Sequence, residues 1–331
     1  IKREVEKMRE LTDKPFGMNV ALSYVKGTNV IDFVIEQGIK FVTTSSGSPN
    51  VCTEAFQQAG IKVFHVVPTL DMAMKAVDVG VDGLIVEGGE GGGFKNPSPV
   101  STMVLLPLIR SRVDVPIIAA GGISDGLSMA GAFAMGAEGV QMGTRMLSCA
   151  ESPVHDNWKQ AVLAAKETGT VFLNQESRPA LRALRTERTA ELAPMGKFNV
   201  MEHMANLQEL YFGGNMEAAI PLSGQVAGRI DAIKSAREII EESMADFEKI
   251  MEGLGKEFNL IDLAPEPTQV SYTKKPVIQA YLFDANYVAN FTQGNYWESP
   301  LVADDVNALT LPTKYYFTLA SDFIYIPGDS S

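Results

Sequence analysis

The chain has 331 residues, 46% of them hydrophobic and 21% charged, with a formal net charge of −12. That apolar content supports a sizeable core and excludes global disorder. The acidic balance argues against a nucleic-acid partner, because counterion release needs clustered positive charge. Two cysteines, Cys52 and Cys149, are too few for a disulfide framework and fit a reducing cytosol. No apolar run approaches the roughly 20 residues that span a bilayer. The expectation is a cytoplasmic protein that acts neither on nucleic acid nor at a membrane.

The first residues, Ile1-Lys2-Arg3-Glu4, carry no signal segment and read as the middle of an amphipathic helix, with Val5, Met8 and Leu11 at helical spacing. This suggests a chain that has lost its beginning. From 15 to 147, short β-branched apolar runs alternate with amphipathic stretches. The predicted strands are 15–22, 39–44, 61–67, 83–87, 116–120 and 139–143, and the helices between them include 29–37, 71–79 and 127–135. The strands are apolar on both faces, as parallel strands covered by helices must be. Gly60, Gly80 and Gly136 each follow a helix, where a left-handed cap favours glycine. Six strand–helix units fit either a doubly wound sheet or most of a β/α barrel.

Residues 151–222 break this rhythm and read as mostly helical, with Arg182, Arg185 and Arg188 close together; a strong amphipathic helix follows at 235–254. The arginines suit either an anionic ligand or a solvated helix face. Residues 264–331 differ in kind. They hold 12 of the 27 aromatic residues, none of the 15 Met and 2 of the 29 Gly, so they read as a separate module, a family-specific tail or a fused unrelated segment with no assigned role, expected to be dispensable for cofactor binding; the one structural role they suggest is covering apolar barrel surface.

Three glycine-bearing sites end strands: Glu87-Gly88-Gly89-Glu90-Gly91-Gly92-Gly93-Phe94, Ala119-Ala120-Gly121-Gly122-Ile123-Ser124-Asp125-Gly126, and Gln141-Met142-Gly143-Thr144-Arg145. Glycines there let backbone approach a ligand, and nearby helix N-termini present N–H groups to an anion. Any one could be a tight turn; three in succession favour a phosphate-bearing cofactor. No dinucleotide fingerprint and no P-loop occurs, and no metal site is expected.

The stretches from Val115 to Gly126 and from Gly136 to Arg145, together with Lys14-Pro15-Phe16-Gly17-Met18-Asn19 and Ser223-Gly224-Gln225-Val226-Ala227-Gly228, resemble the nitronate monooxygenase (2-nitropropane dioxygenase) family, which includes flavin-type enoyl-ACP reductases. The likeness covers residues 1–255. It implies an α/β fold, a (β/α)8 TIM-type barrel with a small helical lid, here lacking its first strands. The implied organisation is 1–150 as the FMN-binding barrel portion, 151–222 as lid, 223–263 as the return to the barrel and terminal helix, and 264–331 unassigned. It implies FMN as cofactor, contacted by Asn19, with Glu87 beside the isoalloxazine ring and Gly92 allowing close approach. Gly121, Gly122, Gln141, Met142, Gly143 and Thr144 would hold the phosphate.

The implied activity is oxidation of an alkyl nitronate with O2. The alternatives are an enoyl-ACP reductase or quinone reductase using NAD(P)H on an enoyl thioester or quinone, or a non-catalytic or incomplete flavoprotein. Two departures stand out. Phe94 occupies the position of the family's proton-transfer histidine and cannot move a proton. His65, His155 and His203 do not replace it by motif, and each reads as a core or surface histidine. The family's opening Pro-Ile-Ile-Gln-Ala-Pro-Met strand is absent from the start. Pro276-Val277-Ile278-Gln279-Ala280 echoes it, which hints at permutation, but Tyr281-Leu282-Phe283-Asp284 does not continue the motif.

Overall fold

A computed structural model describes residues 2–24, 29–257, 278–280 and 318–319. The six expected strands form: β1 Gly17–Ala21, β2 Phe41–Ser45, β3 Lys62–Val67, β4 Gly83–Glu87, β6 Ile117–Ala120 and β7 Gly139–Met142, with the short β5 Gly93–Lys95 between β4 and β6. They run parallel in the order β2, β3, β4, β6, β7 away from β1, each pair separated by a helical crossover. The crossovers are α2 Val30–Glu36, α3 Thr53–Gln58, α4 Leu70–Val79, α5 Thr102–Arg110 and α6 Gly126–Ala134, preceded by α1 Lys2–Leu11. Thr69 caps α4 by accepting from the Met72 amide, and Gly80 ends it in the left-handed conformation, as the glycine pattern predicts.

The expected gap between β7 and β1 is filled. Ile278–Ala280 (β10) pairs parallel with β7, Thr318–Leu319 (β11) pairs with β1, and the two strands pair with each other, so the barrel is closed with eight strands. The expected gap is therefore occupied by two short strands from within 264–331, the segment that the sequence leaves unassigned, and Gln279 stands opposite Gln141. Strands of three and two residues carry too little periodicity to be read without their partners.

Alternation along the strands divides two environments. Val42, Val63, Leu84, Val86, Val140 and Met142 belong to the outer core against the helices. Asn19, Thr43, Ile85, Glu87 and Gln141 alternate with that set and face the barrel axis. Helix α12, Ala236–Glu257, closes the outer core through Ile239, Ile240, Met244 and Phe247, whose ring lies 4.8 Å from that of Phe133 on α6.

A second core, around Trp158, Leu173, Leu181, Leu210 and Ile220, defines the lid. It contains α7 Thr144–Leu147, α8 Asp156–Ala164, α9 Glu187–Leu192, α10 Val200–His203 and α11 Leu207–Tyr211. It is not mostly helical, as the sequence suggested. The hairpin of β8 Thr170–Leu173 and β9 Ala180–Leu184 joins β5 in an antiparallel sheet. Asn174 starts the hairpin turn in the left-handed region (φ 57°), which asparagine tolerates, and its amide donates to the Pro179 carbonyl at 2.7 Å. No described helix is long and apolar enough to cross a membrane.

Candidate functional site

The C-terminal ends of β4, β6 and β7 deliver the three glycine segments to one mouth, where β/α barrels build their sites. The segment after β4 is tied down on three sides. The Gly88 amide donates to the Ala120 carbonyl (2.9 Å), the Gln225 amide donates to the Glu90 carbonyl (2.8 Å), and Arg182 Nε on β9 donates to the Gly89 carbonyl (2.6 Å). The Glu90 carboxylate accepts from the Thr102 amide at 3.0 Å and from its hydroxyl at 3.1 Å. It therefore caps α5, whose own Ser101 makes no side-chain cap.

A cavity opens between these segments and the lid, with an empty volume of about 730 Å³ counting its mouth. Its polar bed is Glu87, Glu90, Gln141, Thr144 and the backbone of the glycine segments; Leu147, Tyr211, Leu222 and Val226 form an apolar lid wall. Burial pushes the Tyr211 phenol far above its ordinary range, so it stays neutral.

Glu87, Gly92, Gly121, Gly122, Gln141, Gly143 and Thr144 are thus gathered around one space. Asn19 and Met142 do not line it. Asn19 Oδ1 accepts from the Thr43 hydroxyl at 3.0 Å on the barrel axis, and the Met142 side chain is buried in the outer core. Gly92 has a packing reason of its own: a Cβ there would lie 2.6 Å from the Gly224 nitrogen. Gly121 is required by conformation and space together, with φ 84° and 2.8 Å from a Cβ to the Gly88 carbonyl oxygen.

Phe94 does not line the cavity. It pairs with Leu181 and packs against the lid core. His65 bonds the Thr44 hydroxyl at 2.8 Å on the helix side of β3, and burial pulls its pKa down to about 4. His155 caps α8 by accepting from the Asn157 amide, and His203 lies 3.4 Å from Arg188. No described histidine lines the cavity, and among the described residues no group could hold a metal. The lid arginines are committed to protein groups: Arg182 to Gly89, Arg185 to the Thr168 carbonyl, and Arg188 to Glu217. Sequence reading missed Lys95, buried against Glu87. Its signal was alternation, since the residue after a lid-facing Phe94 must point the other way.

Two features fit a phosphate-bearing flavin. Gln141 Oε1 is buried at the cavity with no partner among the described residues, which is costly unless a ligand donates to it. A Cβ at Gly143 would meet nothing within 4 Å, so the space beside its backbone is open.

Fold and site together define a β/α barrel with a glycine-lined polar cavity at the C-terminal ends of its strands. The nitronate monooxygenase family matches residues 24–246, and the chain belongs to that family. It is 32% identical over 288 residues to the (3aS,4S,5R,7aS)-5-hydroxy-7a-methyl-1-oxo-octahydro-1H-indene-4-carboxyl-CoA dehydrogenase of Mycobacterium tuberculosis, covering 73% of this chain and 81% of that protein. A Staphylococcus saprophyticus protein described as a probable nitronate monooxygenase is 28% identical over 232 residues, 56% of this chain and 65% of that one. Among solved structures, FabK from Thermotoga maritima superposes with a TM-score of 0.72 at 35% identity, covering 77% of this chain and 83% of that one. A nitroalkane oxidase from Streptomyces ansochromogenes shares the fold (TM-score 0.67, 20% identity, 76% and 86% covered).

Proposed function

We propose that the chain is an FMN-dependent oxidoreductase that acts at the carbons next to an acyl-thioester carbonyl, interconverting saturated and α,β-unsaturated forms. The observation that carries this reading is the shape of the cavity. A polar bed with the unpartnered Gln141 Oε1 faces an apolar wall of Leu147, Tyr211, Leu222 and Val226, which suits a cofactor on one side and an acyl chain on the other. The similarity to a CoA-ester dehydrogenase over 81% of that protein's length supports the same class.

Gly121, Gly122, Gly143 and Thr144 would hold the flavin phosphate, and Gln141 would donate or accept at the ring or ribityl chain. Bound FMN supplies the hydride acceptor or donor. The protein supplies orientation and a dry wall. The Thr144 hydroxyl accepts from the Gly224 amide at 2.8 Å, which couples the cofactor bed to the lid segment covering it.

Oxidation of alkyl nitronates by O2 is the second reading, supported by the match of residues 24–246 to the nitronate monooxygenase family. A nitronate is already deprotonated, so this reading does not require a histidine base at the cavity. The two buried free cysteines support a reducing, cytoplasmic setting.

Anaerobic titration of the FMN-loaded protein, followed by its visible flavin absorbance, separates the readings. A short-chain acyl-CoA, or crotonyl-CoA after NADH reduction, should change the flavin spectrum. A response to propyl nitronate alone would replace the first reading by the second, and retention of no flavin by the purified protein would overturn both.

A further inference from the structure

Two charged side chains line the cavity, Glu87 and Glu90. Glu90 is consumed by Thr102. Glu87 ends β4 on the axis-facing side and is joined by Lys95, whose Nζ makes an ion pair with Glu87 Oε1. The pairing follows from strand geometry: on β5, Phe94 turns into the lid core, so Lys95 turns back toward the barrel. The Lys95 side chain is 2% exposed and that of Glu87 11%.

The pair lies immediately behind the cavity wall. A Cβ at Gly91, which lines the cavity, would fall 2.8 Å from Lys95 Nζ and 3.1 Å from Glu87 Oε1. Apart from this contact, the ammonium makes no hydrogen bond to any described group. Burying an ion pair is a poor way to gain stability, since apolar replacements of equal volume are often as stable or more so. A buried lysine paired with a carboxylate that lines the cavity therefore calls for another role.

We propose that Lys95 is a positioning residue whose ammonium holds the Glu87 carboxylate at the cavity wall and balances its charge, thereby keeping that carboxylate from lowering the reduction potential of the flavin bound there. This rests on the FMN reading above. Reduction adds negative charge to the flavin, so a nearby cation favours the reduced form and a nearby anion the oxidised form. With both partners present the two influences offset each other.

The test is spectroelectrochemical titration of the FMN-loaded full chain, with FMN affinity measured alongside. Lys95→Met, of similar volume, should lower the potential, shifting the oxidised-to-reduced ratio about tenfold toward oxidised, or about 30 mV for a two-electron couple. Glu87→Gln should shift it in the opposite direction. The double variant should return close to the wild-type value, and Lys95→Arg should preserve it. Opposite signs that cancel are not produced by a purely structural defect. Equal potentials in all four variants with FMN bound would overturn the proposal and leave a structural ion pair. Shifts of the same sign in both single variants would also overturn it. Failure of the wild-type protein to bind FMN would remove the FMN reading, and this proposal with it.

Discussion

Replacing Gly143 by valine tests the cofactor bed without disturbing the fold. Gly143 has φ −93° and ψ −75°, which an L-residue can adopt, and a Cβ there meets no atom within 4 Å. The apo protein should therefore accept Gly143→Val with its melting temperature almost unchanged. The new side chain would instead occupy the space beside the backbone where the phosphate is placed. Two hydrogen bonds to an anionic phosphate contribute about 1.5–3 kcal/mol each. Losing them weakens FMN binding by about 10²–10⁴-fold. Gly92→Ala is the contrasting perturbation. Its Cβ would lie 2.6 Å from the Gly224 nitrogen and the Ser223 carbonyl carbon, backbone atoms that cannot rotate away. Relieving that overlap should cost about 1–3 kcal/mol of stability, lowering the melting temperature by about 2–4 °C per kcal/mol in a protein of this size. Fluorescence titration with FMN and thermal melts of the apo proteins give both quantities. Wild-type FMN affinity in Gly143→Val, or destabilisation of that variant matching Gly92→Ala, would refute the placement of the phosphate.

Other outcomes follow from the same geometry. Phe94→His should not create a working base, because position 94 packs into the lid core; turnover of neutral nitroalkane should stay flat while the melting temperature falls, and a rise in turnover would show that residue 94 reaches the substrate. The folded pKa of His65, about 4, lies below its unfolded value near 6.5, so its contribution is fully present above pH 6.5 and is lost as pH falls toward 4. That amounts to about 3 kcal/mol, and denaturant melts should show His65→Gln flattening this part of the acid limb. Burial pushes both thiols up to about 12, so native Cys52 and Cys149 should resist iodoacetamide at pH 8 and react once unfolded, as mass spectrometry would record. Ending the chain at Glu257 removes β10 and β11 and exposes the edges of β7 and β1, so aggregation and loss of FMN are expected; a monomeric, FMN-binding truncation, as the composition of 264–331 alone suggests, would show those strands to be dispensable.

The six main strands, the helices between them and the glycine clusters at strand ends were legible without coordinates. Each is written in a local pattern: two-sided apolarity in Gly83–Glu87, helical periodicity with a terminal glycine in Leu70–Val79, and consecutive glycines after Ala120. The family motifs rest on the same contiguous runs. Tertiary structure alone decided which of these residues share a space. It gathered Glu87, Gln141 and Gly143 around the cavity while leaving Asn19 on the axis and Met142 in the outer core. It also decided that Phe94 belongs to the lid, that Lys95 meets Glu87, that 170–184 is a hairpin and that 278–280 and 318–319 complete the barrel. The physical reason is common to all four. Helical and strand periods are set by neighbours a few residues away, whereas strand pairing, charge pairing across elements and cavity walls depend on partners up to hundreds of residues distant, whose positions exist only once the barrel has closed.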